Sequence, residues 1–148
     1  MSGEKAKAPE EKFELTIESK LESLPKIGEF LDRTMQHLKI QNSKDRYAVQ
    51  LSVDEACTNI INHAYADKSE GTIGIRCMLM SEKFVVNIMD WGKPFDPTTK
   101  PKPDIESGLD ERKVGGLGIF FIRKFMDEVS YSRSDCMNLL TLVKYIQK

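Results

Sequence analysis

The order of strand-like and helix-like stretches constrains the fold of this chain more than any other feature. Apolar and polar residues alternate from Phe13 to Ile17, which predicts a half-exposed strand. Helical apolar spacing follows twice, from Leu24 to about Leu38 and from Ser43, a plausible N-cap, to about Tyr65. A lone strand followed by two helices must pack against a sheet that is completed later in the chain.

Strand-like stretches dominate the second half. The runs Gly71–Leu79 and Phe84–Met89 form a predicted hairpin, and a third helix is expected from Gly116 to about Asp127. Two last strands are predicted near Val129–Arg133 and Leu139–Ile146. The order β-α-α-β-β-α-β-β predicts an α+β fold, a two-layer sandwich of a mixed, mostly antiparallel sheet with helices on one face.

The chain is expected to form one domain behind a short tail. Residues 1–12 are mainly Lys, Glu, Ala and Pro with little to bury, so we predict a disordered tail there. Residues 13–148 are long enough to bury a core of their own, and we predict that they form a single domain.

Charge and cysteine usage limit the class of protein. Lys and Arg number 22 against 23 Asp and Glu, and the net charge of -1 argues against general electrostatic binding to nucleic acid or anionic membranes. Three cysteines without a Cys-x-x-Cys pair suggest neither a disulfide framework nor a zinc site, and free thiols fit a reducing compartment. We therefore expect a cytoplasmic protein without direct nucleic-acid or membrane binding.

One stretch follows neither the helical nor the strand period. Residues 96–114 contain three prolines, a glycine and many charges. Loops longer than about 12–15 residues are uncommon in compact domains and usually serve as lids or binding loops. We interpret this segment as a lid, and a long solvated loop is the alternative.

Glu55 and Asn59 bring a carboxylate and a carboxamide to one face of the second helix. They are four residues apart, so their side chains lie one helical turn from each other. The surrounding stretch is apolar, and polar groups on a largely buried helix need partners. The carboxylate of such a pair can act on a reacting oxygen and the carboxamide can bind a metal ion. Two polar residues on a solvated helix face would show the same spacing. His63, next on this stripe, is interpreted as structural.

Two glycine-containing motifs complete the candidate site. Asp90 ends a strand and Gly92 follows after one residue, which offers an acceptor to a base edge or forms a plain Asp turn. Gly115, Gly116 and Gly118 open the third helix, where backbone N–H groups can approach an anion closely. In this order, with a predicted lid between the second and third, the motifs describe a site for a magnesium nucleotide.

These motifs resemble those of a known family. The stretches Leu51–Tyr65, Asp90–Phe95 and Gly115–Val129 are similar to motifs of the anti-sigma factor serine/threonine kinases, a branch of the GHKL (histidine-kinase-like) ATPase superfamily. The similarity extends from about Phe13 to Ile146. It implies the Bergerat-type ATPase fold, with ATP and Mg²⁺ as cofactors.

The resemblance also implies a role for each motif residue. Asn59 matches the asparagine that coordinates Mg²⁺, and Glu55 matches the general base. Asp90 is similar to the aspartate that accepts a hydrogen bond from the adenine amino group, beside which Gly92 leaves room. The remaining candidates are expected to contact the phosphates: Lys113, Gly115, Gly116 and Gly118.

One position departs from the family pattern. In some kinases of this branch, an arginine two positions before the Gly-x-Gly that matches Gly116–Gly118 touches the terminal phosphate. Val114 stands there in this chain. Either Lys113 or Arg112 replaces the arginine, or the catalytic step is weak.

The resemblance implies a regulatory protein serine/threonine kinase. It would transfer the γ-phosphate of ATP to a small anti-anti-sigma-like partner and control a sigma factor or a similar output, as a homodimer. Two other functions use the same residues: an ATPase or histidine-kinase-like catalytic module, and a non-catalytic binder whose contact with a partner depends on nucleotide.

Overall fold

One strand and two helices form the first part of the described chain. The computed structural model describes residues 11–65, 71–94, 96 and 117–146. Strand β1 spans Phe13–Glu18, and helix α1 spans Leu24–His37 after a short 3-10 turn. Helix α2 spans Ser43–Asn59 and continues directly into a π-helical turn, Ile60–Ala64. The strand and both helices are confirmed where the sequence pattern predicted them.

The start and one side of α2 differ from the expectation. Its N-cap is Asn42 and not Ser43, because the side-chain oxygen of Asn42 accepts a hydrogen bond from the backbone N–H of Asp45 at 3.0 Å. Tyr47 fits the helical spacing of the core, yet it is 61% exposed. Its ring meets that of Phe125 edge-on, with the centroids 6.1 Å apart. Spacing alone does not distinguish a core position from the rim beside a neighbouring helix.

The second half of the described chain supplies four strands and one helix. Each lies within a few residues of its predicted place. Their bounds are Thr72–Met80 for β2, Lys83–Asp90 for β3, Leu117–Phe125 for α3, Glu128–Ser134 for β4 and Met137–Tyr145 for β5.

The five strands form one sheet in the order β1-β2-β3-β5-β4. All four pairings are antiparallel where a mixed sheet was expected. Two of these pairings, β2–β3 and β4–β5, join strands that follow one another as hairpins, and a short connection of that kind requires antiparallel pairing. The predicted two-layer α+β sandwich is confirmed.

One hydrophobic cluster joins the helices to a single face of the sheet. Along β3 every second residue from Phe84 to Asp90 is buried, so a carboxylate ends a row of core side chains. Burial of a side chain such as Leu31 or Phe84 stabilises the fold by about 1.5–3 kcal/mol. Among the helices that the structure describes, none is long and apolar enough to cross a membrane.

Candidate functional site

Asp90 is the buried carboxylate at the centre of the candidate site. It is 5% exposed, and its Oδ1 accepts hydrogen bonds from the Gly92 backbone N–H and the Asn138 Nδ2, both at 2.9 Å. Burial raises the pKa of the Asp90 carboxyl, while the bonds from Asn138 and Gly92 and the charge of Arg133 oppose that rise. Both bonds from described residues fall on Oδ1, so Oδ2 can accept from another donor.

The turn after Asp90 lies directly against the π-helical turn that follows α2. A Cβ on Gly92 would lie 2.3 Å from the carbonyl oxygen of Ala64, a backbone atom that cannot easily move. The backbone N–H of Lys93 donates to that same oxygen at 3.0 Å. The glycine is therefore required by the approach of two backbones, whatever space it also leaves for a ligand.

Tyr65 ties the same turn to the sheet. Its hydroxyl oxygen accepts a hydrogen bond from the Trp91 backbone N–H at 2.7 Å and donates to the Thr72 carbonyl, also at 2.7 Å. Tyr65, the residue after the π-helical turn, thus links the backbone of the Asp90 turn to strand β2. The sequence marked Tyr65 only as the last residue of a motif, because its partners are distant along the chain.

Asn138 and Arg133 belong to this site although the sequence did not single them out. Asn138 is the register partner of Asp90 across the β3–β5 pair, and Arg133 is the partner of Asn138 across the β4–β5 pair. The Arg133 Nη1 also donates to the Gly92 carbonyl oxygen at 2.9 Å. The sequence does show an Asn at a core-facing position in the alternation of β5. Its pairing with Asp90 becomes visible only when the strand register is known.

Asn59 carries a buried polar atom that has no hydrogen-bond partner in the part of the chain that the structure describes. The residue is 5% exposed, and its Nδ2 makes no hydrogen bond to any described residue. An unpaired buried amide costs about 1–3 kcal/mol, so a ligand that supplies the missing contact would be favoured there. The π-helical turn begins at the next residue, and such turns occur frequently at functional sites.

Glu55 lies one turn before Asn59 and is half-buried. Burial raises the pKa of the Glu55 carboxyl, and the neighbouring charge of Asp54 raises it further. The charges of Asp54 and Asp90 both act on the buried Cys57 thiol and, after burial itself, raise its pKa. The last turn of α2, which carries Cys57, is therefore within electrostatic reach of the end of β3.

The third motif falls largely outside the described residues. Lys113, Gly115 and Gly116, and most of the predicted lid, lie there. Gly118 is the second residue of α3, a helix that packs against α2. Within the described ranges, no cluster of three or more His, Cys, Asp or Glu could hold a metal ion. Mg²⁺ is commonly bound by one or two protein ligands together with nucleotide phosphates, so it needs no such cluster.

Comparison with known proteins decides the family. Residues 17–144 match the family described as the histidine kinase-like ATPase domain. The chain belongs to the histidine kinase-like ATPase family.

Two curated relatives of this ATPase domain are named as protein kinases. The serine/threonine-protein kinase BtrW of Bordetella bronchiseptica is 30% identical over 114 residues, which are 75% of this chain and 80% of BtrW. The serine-protein kinase RsbW of Staphylococcus aureus is 36% identical over 104 residues, which are 67% of this chain and 65% of RsbW. The resemblance to the anti-sigma factor kinases is confirmed.

A solved structure supports the fold of the ATPase domain. The structure of the RsbU and RsbW domains of Rv1364c from Mycobacterium tuberculosis superposes with a TM-score of 0.67. The match covers 94% of this chain and 33% of that one, at 13% identity. At this identity the likeness concerns the fold alone, and the predicted ATPase fold is confirmed.

Proposed function

We propose that this domain binds Mg-ATP and transfers the γ-phosphate to a serine or threonine of a small anti-anti-sigma-like partner protein. The observation that carries the proposal is the arrangement of Asp90. Its buried carboxylate is held through Oδ1 by two donors, which leaves Oδ2 as an acceptor. Such an acceptor suits the amino group of adenine and opposes the carbonyl that guanine carries at the same position.

Asn59 is the residue proposed to hold Mg²⁺. Half a turn of its side-chain amide would place Oδ1 where the unpaired Nδ2 lies, and the two orientations of an amide have nearly the same shape. A carboxamide oxygen suits a hard cation such as Mg²⁺. When bound, Mg²⁺ would neutralise negative charge on the phosphates.

Glu55 is proposed as the general base. Its half-buried carboxylate has a raised pKa, which makes it a better proton acceptor than an ordinary glutamate. In the proposed reaction, Glu55 takes the proton of the attacking partner hydroxyl.

The phosphate contacts remain predictions from the sequence. Gly115, Gly116 and Gly118 are proposed to offer backbone N–H groups to the phosphates, with Lys113 replacing the missing arginine. The segment 96–114 is proposed to close over the nucleotide and exclude water. The tail over residues 1–12 and the extent of the domain, 13–148, are likewise predictions.

The regulatory setting of the kinase is proposed from the family resemblance. A sigma factor would be the second target, the chain would act as a homodimer in the cytoplasm, and it would not contact nucleic acid or membrane directly. The support for these statements is the likeness of the three motifs to those of the anti-sigma factor kinases.

Labelled ATP separates the proposed kinase from the other two functions. The protein is incubated with ATP labelled at the γ-phosphate and with candidate anti-anti-sigma-like proteins, and Glu55→Gln serves as the matched control. Label on a partner serine or threonine, reduced in the control, supports the proposal. Label on histidine or release of free phosphate alone indicates the catalytic-module alternative. Binding without turnover indicates a nucleotide-dependent switch.

A further inference from the structure

Asn138 uses its entire hydrogen-bonding capacity at the candidate base site. The residue is 4% exposed, and its Nδ2 donates to Asp90 Oδ1 at 2.9 Å and to the Lys93 carbonyl at 3.0 Å. Its Oδ1 accepts from the Tyr131 hydroxyl and from Arg133 Nη1, the latter at 3.0 Å. An amide has two donor hydrogens and two acceptor positions, so all four are satisfied.

Arg133 determines which way this amide points. A guanidinium group only donates, so the atom of Asn138 that faces it must be the oxygen. The Nδ2 of Asn138 then necessarily faces Asp90. The hydroxyl of Tyr131 could both donate and accept, so it would not fix the orientation by itself.

A fixed amide in turn holds the Asp90 carboxylate in one rotamer and one charge state. A donor on Oδ1 favours the ionised form and keeps a proton off that oxygen. Among the described residues, the groups whose charge is coupled to Asp90 are the Arg133 guanidinium from β4 and the Cys57 thiol from α2. Of these, only Arg133 is charged at neutral pH, and it also favours the carboxylate.

We propose that Asn138, oriented by Arg133, is a positioning residue that keeps Asp90 as an acceptor through Oδ2 and thereby sets the preference for adenine over guanine nucleotides. This inference rests on the proposed function, in which Asp90 contacts the base. It adds a specificity device, built from β4 and β5, that lies outside all three sequence motifs.

A merely structural Asn138 would affect stability but not base preference. The decisive variant is Asn138→Leu, which keeps the approximate shape of the side chain, adds no charge and cannot donate to Asp90. The matched control is Thr141→Val on the same strand. Thr141 also makes a cross-strand side-chain bond, to Asn87 at 2.9 Å, but on the opposite face of the sheet. Arg133→Gln removes the orienting charge from an exposed position and serves if Asn138→Leu does not fold.

Two measurements are made on each variant. The first is a carbon NMR titration of the Asp90 carboxyl in nucleotide-free protein, assigned with Asp90→Asn. The second is the affinity for Mg-ATP and for Mg-GTP. In Asn138→Leu the Asp90 carboxylate loses a donor, so the pKa of Asp90 should rise, ATP should bind about tenfold more weakly or worse, and the ratio of ATP affinity to GTP affinity should fall. Arg133→Gln should change the Asp90 pKa, the ATP affinity and the affinity ratio in the same directions but to a smaller extent. Thr141→Val should change none of these three quantities.

The outcomes separate this inference from the proposed function. If Asn138→Leu, or Arg133→Gln in its place, leaves both the Asp90 titration and the ATP-to-GTP affinity ratio as in the parent, the inference is overturned. If the Asp90 titration changes but the ratio of ATP affinity to GTP affinity does not, Asn138 has no role in base specificity. A parent protein that binds neither nucleotide refutes the proposed function and the specificity role with it, while the titration alone still decides whether Asn138 positions Asp90.

Discussion

Replacing Asp90 by Asn should weaken nucleotide binding without weakening the fold. The introduced amide retains an oxygen for the Gly92 N–H and for the Asn138 Nδ2, so no buried donor loses its acceptor. The atom at the Oδ2 position becomes an amide nitrogen, which only donates, so the proposed charge-assisted bond from adenine, worth about 1.5–3 kcal/mol, is lost. The expected loss corresponds to roughly 10- to 150-fold weaker ATP binding.

The difference in stability between the Asp90→Asn variant and the parent protein should also depend on pH. The pKa of Asp90 in the folded protein lies above the ordinary 3.8, so the folded chain keeps a proton that the unfolded chain releases. Stability of the parent therefore falls as the pH rises from 3.8 through the folded pKa of Asp90. The introduced amide has no such titration, so the variant should gain on the parent across that window and be at least as stable at neutral pH.

The matched destabilising variant is Asp90→Ala. It removes the acceptor of the Gly92 N–H and of one Asn138 Nδ2 hydrogen, and two unpaired buried donor hydrogens cost about 2–6 kcal/mol together. Urea unfolding at several pH values gives the stabilities, and calorimetric titration gives the ATP affinity. An Asn variant that binds ATP as tightly as the parent, or that is as unstable as the Ala variant, would refute the reasoning.

Three further substitutions test other parts of the site. Glu55→Gln should leave ATP affinity within a few-fold of the parent and lower phosphotransfer by roughly 10²–10⁴, as single-turnover assays would show; an unchanged rate excludes Glu55 as the base. Gly92→Ala should lower the unfolding midpoint in urea because its Cβ meets the Ala64 oxygen at 2.3 Å, whereas Gly28→Ala, with its nearest atom at 3.4 Å, should be tolerated. Tyr65→Phe removes the hydroxyl from two hydrogen bonds and should destabilise the fold by about 1–3 kcal/mol; equal stability would show that these bonds contribute little.

Much of the fold could be predicted because helices and strands each give a characteristic spacing of apolar residues along the sequence. Alternation along β3 and helical spacing along α1 follow from which side chains face the core. The N-cap at Asn42 was missed because Asn and Ser are equally good caps, and only the hydrogen bond to Asp45 distinguishes them. The π-helical turn after Asn59 was missed because its apolar residues also fit an α-helix. It also places His63 differently from the straight stripe that the sequence suggested.

The proposed base site was predicted only in part, because several of its residues are far apart in the sequence. Asp90 and Gly92 are close in sequence, so a motif reveals them. Asn138, Arg133 and Tyr65 reach the same turn from distant elements, and their contacts exist only once strands β3, β5 and β4 are in register. No local pattern contains that information.

Binding of Mg-ATP to the unmodified protein tests the central claim most directly. Trp91, the single tryptophan, directly follows Asp90, so its fluorescence reports on this site. A ligand that binds only the folded state should raise stability by about 2.7 kcal/mol at a concentration 100 times its dissociation constant. We predict a rise in the unfolding midpoint with Mg-ATP that is larger than with Mg-GTP and is reduced when Mg²⁺ is chelated. An unfolding midpoint that does not move up to millimolar Mg-ATP would contradict the account.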